Sequence, residues 1–211
     1  QEMADFVDLS FELAFKYRTP VIMLSDGVIG QMMEKVVLPP FKPRRTDEEV
    51  RQQCPWAATG MRGRKKNIMT SLELEPTAME EHNLHLQRKY QEIREKEVRC
   101  ETLQTEDAEY LIVAFGSASR IAQKAIELCR EKGIKVGMLR PVTLWPFPTK
   151  EIQALAEKVK GILSVEINAG QMVEDIRLAV EGLVPVRHYG RMGGIVPAPD
   201  EIVNEIEKMR I

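Results

Sequence analysis

From residue 110 onward, short apolar runs alternate with stretches whose apolar positions recur every three or four residues. The former pattern is that of a buried strand and the latter that of one helical face. Runs at 110–115, 134–139, 162–167 and 186–189 predict four strands. Between them, Ile121, Ala122, Ala125, Ile126 and Cys129 mark a helix ended by Gly133, and Ile152, Leu155, Ala156 and Val159 mark one opened by Thr149. Met172, Val173, Ile176, Ala179, Val180 and Leu183 give a third, and Ile202, Val203, Ile206 and Met209 a closing helix begun at Pro199-Asp200. Such alternation calls for a three-layer α/β domain, a mainly parallel sheet with helices on both faces, over 98–211. Residues 98–103 supply an antiparallel edge strand to it.

Upstream the pattern is less regular. Met3, Phe6, Val7, Leu13, Ala14 and Tyr17 line one face of a helix that Thr19-Pro20 stops. Residues 21–24, Val-Ile-Met-Leu, read as a fully buried strand, and Asp26-Gly27 turns the chain into a short helix with Ile29, Met32 and Met33. One strand and two helices cannot bury a core alone, so 1–38 is expected to be the remnant of a larger α/β domain. Residues 39–76, broken by Pro39-Pro40 and the Gly60 to Lys66 stretch, read as a linker. Its basic cluster Arg62, Arg64, Lys65 and Lys66 is either a solvated face or a contact for phosphates. Thr77 to Glu80 has the spacing of a capping box and opens a charged connecting helix over 77–97, with Met79, Leu86, Tyr90 and Ile93 as its apolar seam.

Charge and cysteine content narrow the functional classes. With 30 basic and 32 acidic side chains in 211 residues, the average field favours neither nucleic acid nor anionic lipid. No apolar run approaches the roughly 18 residues of a membrane span. The first residues, Gln1-Glu2-Met3, lack a signal-peptide pattern. Cys54, Cys100 and Cys129 form no C-x-x-C pair, which fits a reducing cytoplasm and leaves no zinc or iron–sulfur site of their own. His82 and His85 sit three apart on a polar helix with no third ligand in register, so no metal site is expected.

In an open parallel sheet, ligands bind beyond the carboxyl ends of the strands. The segments there are Gly116-Ser117-Ala118-Ser119, the Pro-rich run around Trp145 and Phe147, Asn168-Ala169-Gly170-Gln171, and Gly190-Arg191-Met192-Gly193-Gly194. Gly116, Ser117 and Ser119 offer N–H groups and hydroxyls suited to an anion, or else Ser119 caps the helix behind a tight turn. Neither G-x-G-x-x-G nor a P-loop is present. Gly193 and Gly194 either let backbone approach a ligand beside Arg191 or form a turn, and Asn168 and Gln171 are a ligand-facing pair or a helix start. Trp145 and Phe147 suit an interface plug. No nucleophile–histidine–acid set is suggested, since His188 falls inside a strand, and no catalytic residue is assigned.

Five motifs, in order along the chain, resemble one family. They are Lys16 to Gly27 (KYRTPVIMLSDG), Glu106 to Ser117 (EDAEYLIVAFGS), Leu139-Arg140-Pro141 with Trp145-Pro146-Phe147-Pro148, Asn168 to Asp175 (NAGQMVED), and Gly190 to Gly194 (GRMGG). Together they resemble the C-terminal portion of the alpha-type subunit of 2-oxoacid:ferredoxin oxidoreductases, the branched-chain (2-ketoisovalerate) type most of all. The resemblance implies a transketolase C-terminal-like domain preceded by the end of a thiamine-enzyme pyrimidine-type domain. It also implies a complex in which a 2-oxoacid is oxidatively decarboxylated, CoA takes the acyl group, and two electrons pass through iron–sulfur clusters to ferredoxin. By that analogy thiamine diphosphate and Mg²⁺ belong to a beta-type subunit and the clusters to gamma-type and ferredoxin-like subunits, with self-association of the alpha subunit. This chain would bind none of these groups alone, and would serve assembly and the shape of the cofactor crevice through Asn168, Gln171, Arg191, Gly193 and Gly194. The competing expectation is a non-catalytic, flavodoxin-like binding module.

Overall fold

A computed structural model describes residues 1–210, so the final residue of the 98–211 expectation, Ile211, lies outside the described residues. The chain divides into two compact units, residues 1–23 with 34–89 and residues 24–33 with 90–211.

The first unit contains Glu2–Tyr17 (α1), Asp47–Gln53 (α3) and most of Pro76–Lys96 (α4), whose last turns belong to the second unit. Polar clips and aromatic contacts organise it. The Gln1 side chain donates to Val37 O and accepts from Val37 N, both at 2.9 Å. Lys42 pairs with Asp8 at 2.9 Å, and Trp56 meets the Phe15 ring at 6.1 Å between centroids and the Arg18 guanidinium 4.7 Å from its own centroid.

Three sequence expectations are corrected here. Residues 21–24 are not a buried strand: they carry no strand pairing, and Ile22 is 80% and Leu24 68% exposed, because no neighbouring strand offers a ladder. The 39–76 stretch is not all loop. The Thr46 hydroxyl accepts from Glu49 N and Glu49 accepts from Thr46 N, a capping box that starts α3 without apolar periodicity. And α4 begins at Pro76, its first turn capped by the Glu75 carboxylate on Ala78 N at 2.7 Å, rather than by Thr77.

The second unit is built on Cys100–Leu103 (β1), Tyr110–Ala114 (β2), Val136–Pro141 (β3), Gly161–Glu166 (β4) and Val186–Gly190 (β5) in the order β1-β3-β2-β4-β5. β1 is antiparallel to β3, and the other pairings are parallel. The helices Gly116–Glu131 (α5), Thr149–Ala156 (α6), Met172–Val180 (α7) and Pro199–Met209 (α8) join and follow the parallel strands. The three-layer, mainly parallel architecture expected from the alternation is the observed one.

Period-two side-chain alternation explains the layers even in strands buried on both faces. In β2, Tyr110, Ile112 and Ala114 face a core shared with Ile126 of α5 and Ile202 and Ile206 of α8. Leu111 and Val113 face the opposite core, with Ile152 of α6 and Ile176 of α7. Each fully buried aliphatic side chain contributes about 1.5–3 kcal/mol. The chain runs from β2 through α5 to β3 on one side, then back through α6 to β4 on the other, so β2 and β4 diverge at a switch point.

Candidate functional site

The switch point brings together the segments after β2 and β4. Gly116 and Ser117 open α5 at the end of β2, while Asn168 to Gln171 follow β4. Arg191, Gly193 and Gly194 follow β5, one strand farther out.

At the β2 end, Gly116 holds φ +57°, and a Cβ there would lie 2.9 Å from Asp26 Oδ2. Asp26 is therefore the group that meets the start of α5. Ser117 N donates to its Oδ2 at 2.9 Å and the Ser117 hydroxyl to its Oδ1 at 2.8 Å. Oδ1 also accepts from Val28 N and Ile29 N, capping Gly27–Gln31 (α2). Partial burial pushes this carboxyl up, but the donors from Ile29, Ser117 and Val28 outweigh it and hold it below its usual value. Ser119 is not a cap: α5 starts three residues earlier, and the Ser119 hydroxyl, 2% exposed, donates to Gly116 O at 2.8 Å.

At the β4 end the organising residue is Glu166, 1% exposed on the last position of the strand. Its carboxylate accepts from Gln171 N at 3.1 Å, Met172 N at 2.9 Å and Val173 N at 3.0 Å, and from the Ser164 hydroxyl at 2.8 Å. These are the orphan donors of the α7 start, so a buried charge is matched by a helix dipole and four hydrogen bonds. Burial raises the carboxyl and the bonds from Met172, Gln171, Ser164 and Val173 more than reverse it, so it sits below its usual value. Asn168 Oδ1 accepts from Gly170 N at 2.7 Å and closes the turn locally, while the Gln171 side chain is exposed at the crevice rim. His188 approaches Glu166 from β5, Nε2 to Oε1 at 3.8 Å, and that nitrogen is buried without a hydrogen-bond partner. Asp175 on α7 is pushed up by burial and by the neighbouring carboxylates Glu174 and Glu166.

After β5, Arg191 Nη1 donates to Glu201 Oε1 at 2.6 Å, and Glu201 Oε2 caps α8 through Ala198 N at 2.7 Å. Gly193 at φ +68° and Gly194 at φ +88° have open space where a Cβ would stand, so they serve a turn whose conformation requires glycine. Of the four helices that start after the parallel strands, α5, α7 and α8 are each already met by a carboxylate of the chain itself, Asp26, Glu166 and Glu201, while no side chain caps α6. None of the three reads in this role from the sequence, where Asp26 marks only the turn before Gly27. The available signals were an acidic residue inside the apolar run 162–167, and Asp26 directly before Gly27.

Elsewhere, a shallow groove between β1 and α5 is lined by Glu101, Leu103, Ile126, Met138 and Arg140, whose cation is spent on Glu101 at 2.8 Å. Among the described residues there is no group of three or more histidine, cysteine, aspartate or glutamate side chains that could hold a metal. No helix among them is long and apolar enough to cross a membrane.

Similarity to known proteins bears on what surrounds this edge. Residues 108–202 match the pyruvate:ferredoxin oxidoreductase core domain II family. Nearly the whole chain, 99%, is 45% identical to 58% of the ketoisovalerate oxidoreductase subunit VorB of Methanothermobacter marburgensis. It is also 31% identical to 62% of the 2-oxoglutarate synthase subunit KorA of the same organism. The chain therefore spans less than two thirds of the length of these relatives. A solved 2-oxoglutarate:ferredoxin oxidoreductase from Magnetococcus marinus shares the fold, with a TM-score of 0.63 at 24% identity over 72% of this chain and 28% of that one. The resemblance expected from the five motifs agrees with these similarities, to a ketoisovalerate oxidoreductase subunit and a 2-oxoglutarate synthase subunit in sequence and to a 2-oxoglutarate:ferredoxin oxidoreductase in fold.

Proposed function

We propose that this chain is part of a subunit of a 2-oxoacid:ferredoxin oxidoreductase whose substrate is a branched-chain 2-oxoacid, oxidised to acyl-CoA and CO₂ with reduction of ferredoxin. The reaction class comes from the relatives, and the branched-chain preference from the higher identity to the ketoisovalerate subunit than to the 2-oxoglutarate one. Within that complex the domain supplies assembly surface and one wall of the cofactor crevice, with Asn168, Gln171, Arg191 and the Gly193-Gly194 turn on the crevice side.

One observation carries this division of labour: the α5 and α7 starts at the switch point are filled by Asp26 and Glu166. A diphosphate is ordinarily held by such helix ends. With the α5 start closed by Asp26 and a buried carboxylate, Glu166, held at the α7 start, the residues present do not fit thiamine diphosphate and its Mg²⁺ as resident groups of this chain. Partner subunits of beta and gamma type, and an iron–sulfur subunit, would bring those groups. Residues 1–38 would be the end of a pyrimidine-type domain, 39–76 a connecting segment and 77–97 a connecting helix. The exposed apolar side chains of Ile22, Leu38, Phe41, Ile68, Leu72 and Leu74 support cover by further protein.

Calorimetric titration tests the proposal. Thiamine diphosphate with Mg²⁺ is expected to bind the complex assembled from the full-length subunits and to give no heat with the full-length subunit that contains this chain. Binding by that subunit alone would overturn the division of labour. A complex that binds the cofactor but oxidises no 2-oxoacid would overturn the reaction.

A further inference from the structure

Residues 24–33 belong to the compact unit of the sheet, although more than fifty residues separate them from its other members. They lie along the first turns of α5. Asp26 meets Gly116 and Ser117, Ile29 Cδ1 comes to 4.0 Å of the Cβ position of Gly116, and Arg120 Nη1 reaches Met32 Sδ at 3.9 Å. Within the segment Asp26 and Ile29 are half-buried and the other residues exposed, Val28 at 38% and Met33 at 99%. On either side of α2, residues 20–26 and 32–46 carry no helix or strand. A short helical piece bounded by two irregular stretches, and seated largely through one carboxylate, has the build of a strap rather than of a core element.

We propose that residues 24–33 are a strap clipped over the start of α5 by Asp26, and that it opens as a unit about the irregular stretches on either side. Closed, the strap puts a carboxylate on the two donors that Ser117 aims at the crevice, its N–H and its hydroxyl. Open, it leaves both facing the switch point, so the strap sets whether the β2 side of the crevice is available. The strap also explains Gly116, since any side chain there would meet the clipped carboxylate at 2.9 Å. The proposal is independent of the reaction assigned above, because opening can be read without substrate.

Hydrogen exchange by mass spectrometry, on the full-length subunit in its complex, tests it. Asp26→Asn keeps the volume but turns an amide N–H₂ toward donors that need an acceptor. The amides of Val28, Ile29, Gly30 and Met32 are then expected to exchange about tenfold faster, with Ser117 following, while peptides from β4 and α7 are unchanged. Ser117→Ala removes only the hydroxyl clip and is expected to give about a threefold acceleration in the same strap amides. Strap exchange within twofold of the parent in both variants would overturn the proposal. So would an equal acceleration across β2, β4 and α7, which would make Asp26 a support of the whole fold.

Discussion

Replacing Glu166 with Gln removes one charge and no volume, which isolates what the carboxylate does for the α7 start. The carboxylate fills four acceptor positions, with Gln171 N, Met172 N, Val173 N and the Ser164 hydroxyl. A glutamine keeps an oxygen for two of these donors and turns its N–H₂ toward the rest. At least one buried backbone N–H is then left unpaired, at about 1–3 kcal/mol, and the favourable charge–dipole interaction, up to about 2 kcal/mol in buried sites, is lost. The expected cost is about 3 kcal/mol. With a urea slope near 2 kcal/mol per molar, the unfolding midpoint falls by about 1.5 M, without change of slope. The pH dependence has a defined sign. The folded-state carboxyl lies below its usual 4.5, so its stabilisation is present above that value and is lost as pH falls through the lower folded one. The gap between parent and Glu166→Gln should therefore narrow in acid. A neutral-pH difference below about 0.5 kcal/mol, or a gap that widens in acid, would refute the reasoning.

Glycines at the same edge should differ in how much a methyl group costs. In Gly190→Ala the new Cβ would overlap the carbonyl oxygen of Asn168 and lie 2.8 Å from His188 Nε2, so thermal denaturation should show a loss of about 3 kcal/mol or more. Gly193→Ala, in open space at φ +68°, should cost only the left-handed strain of about 1 kcal/mol. Cys129 is fully buried and its thiol pushed up to about 11 by desolvation, so at pH 8 a thiol reagent should label it only once the domain unfolds. Arg191→Ala in the assembled enzyme should raise KM for 2-oxoacid or CoA if the residue faces the crevice, and unchanged kinetics and assembly would remove it from the site.

The β/α alternation was legible in the chain because parallel strands and their helices write themselves as local periodicities, and residues 98–210 follow it closely. The edge strand and the closing helix at Pro199 were legible for the same reason. Sheet order was not, since nothing local distinguishes a crossover that moves outward from one that returns across β2. Residues 21–24 misled because an apolar run promises burial only where a neighbouring ladder exists. α3 was hidden because its single apolar residue, Val50, gives no period, although Thr46 and Glu49 announced its start. At the site, the glycines, serines and amides were the visible part. The carboxylates that fill the helix starts escaped because Asp26 acts on Ser117 from 91 positions away, and because Glu166 looks in sequence like the polar end of a strand.

The most direct test of the account is electron transfer by the assembled enzyme. The full-length gene product, purified from its native host, is predicted to carry thiamine-binding and iron–sulfur subunits with it. The purified complex should reduce ferredoxin only when 2-ketoisovalerate and CoA are both present, and faster than with 2-oxoglutarate. A full-length protein recovered alone, or a complex indifferent to both 2-oxoacids, would contradict the account.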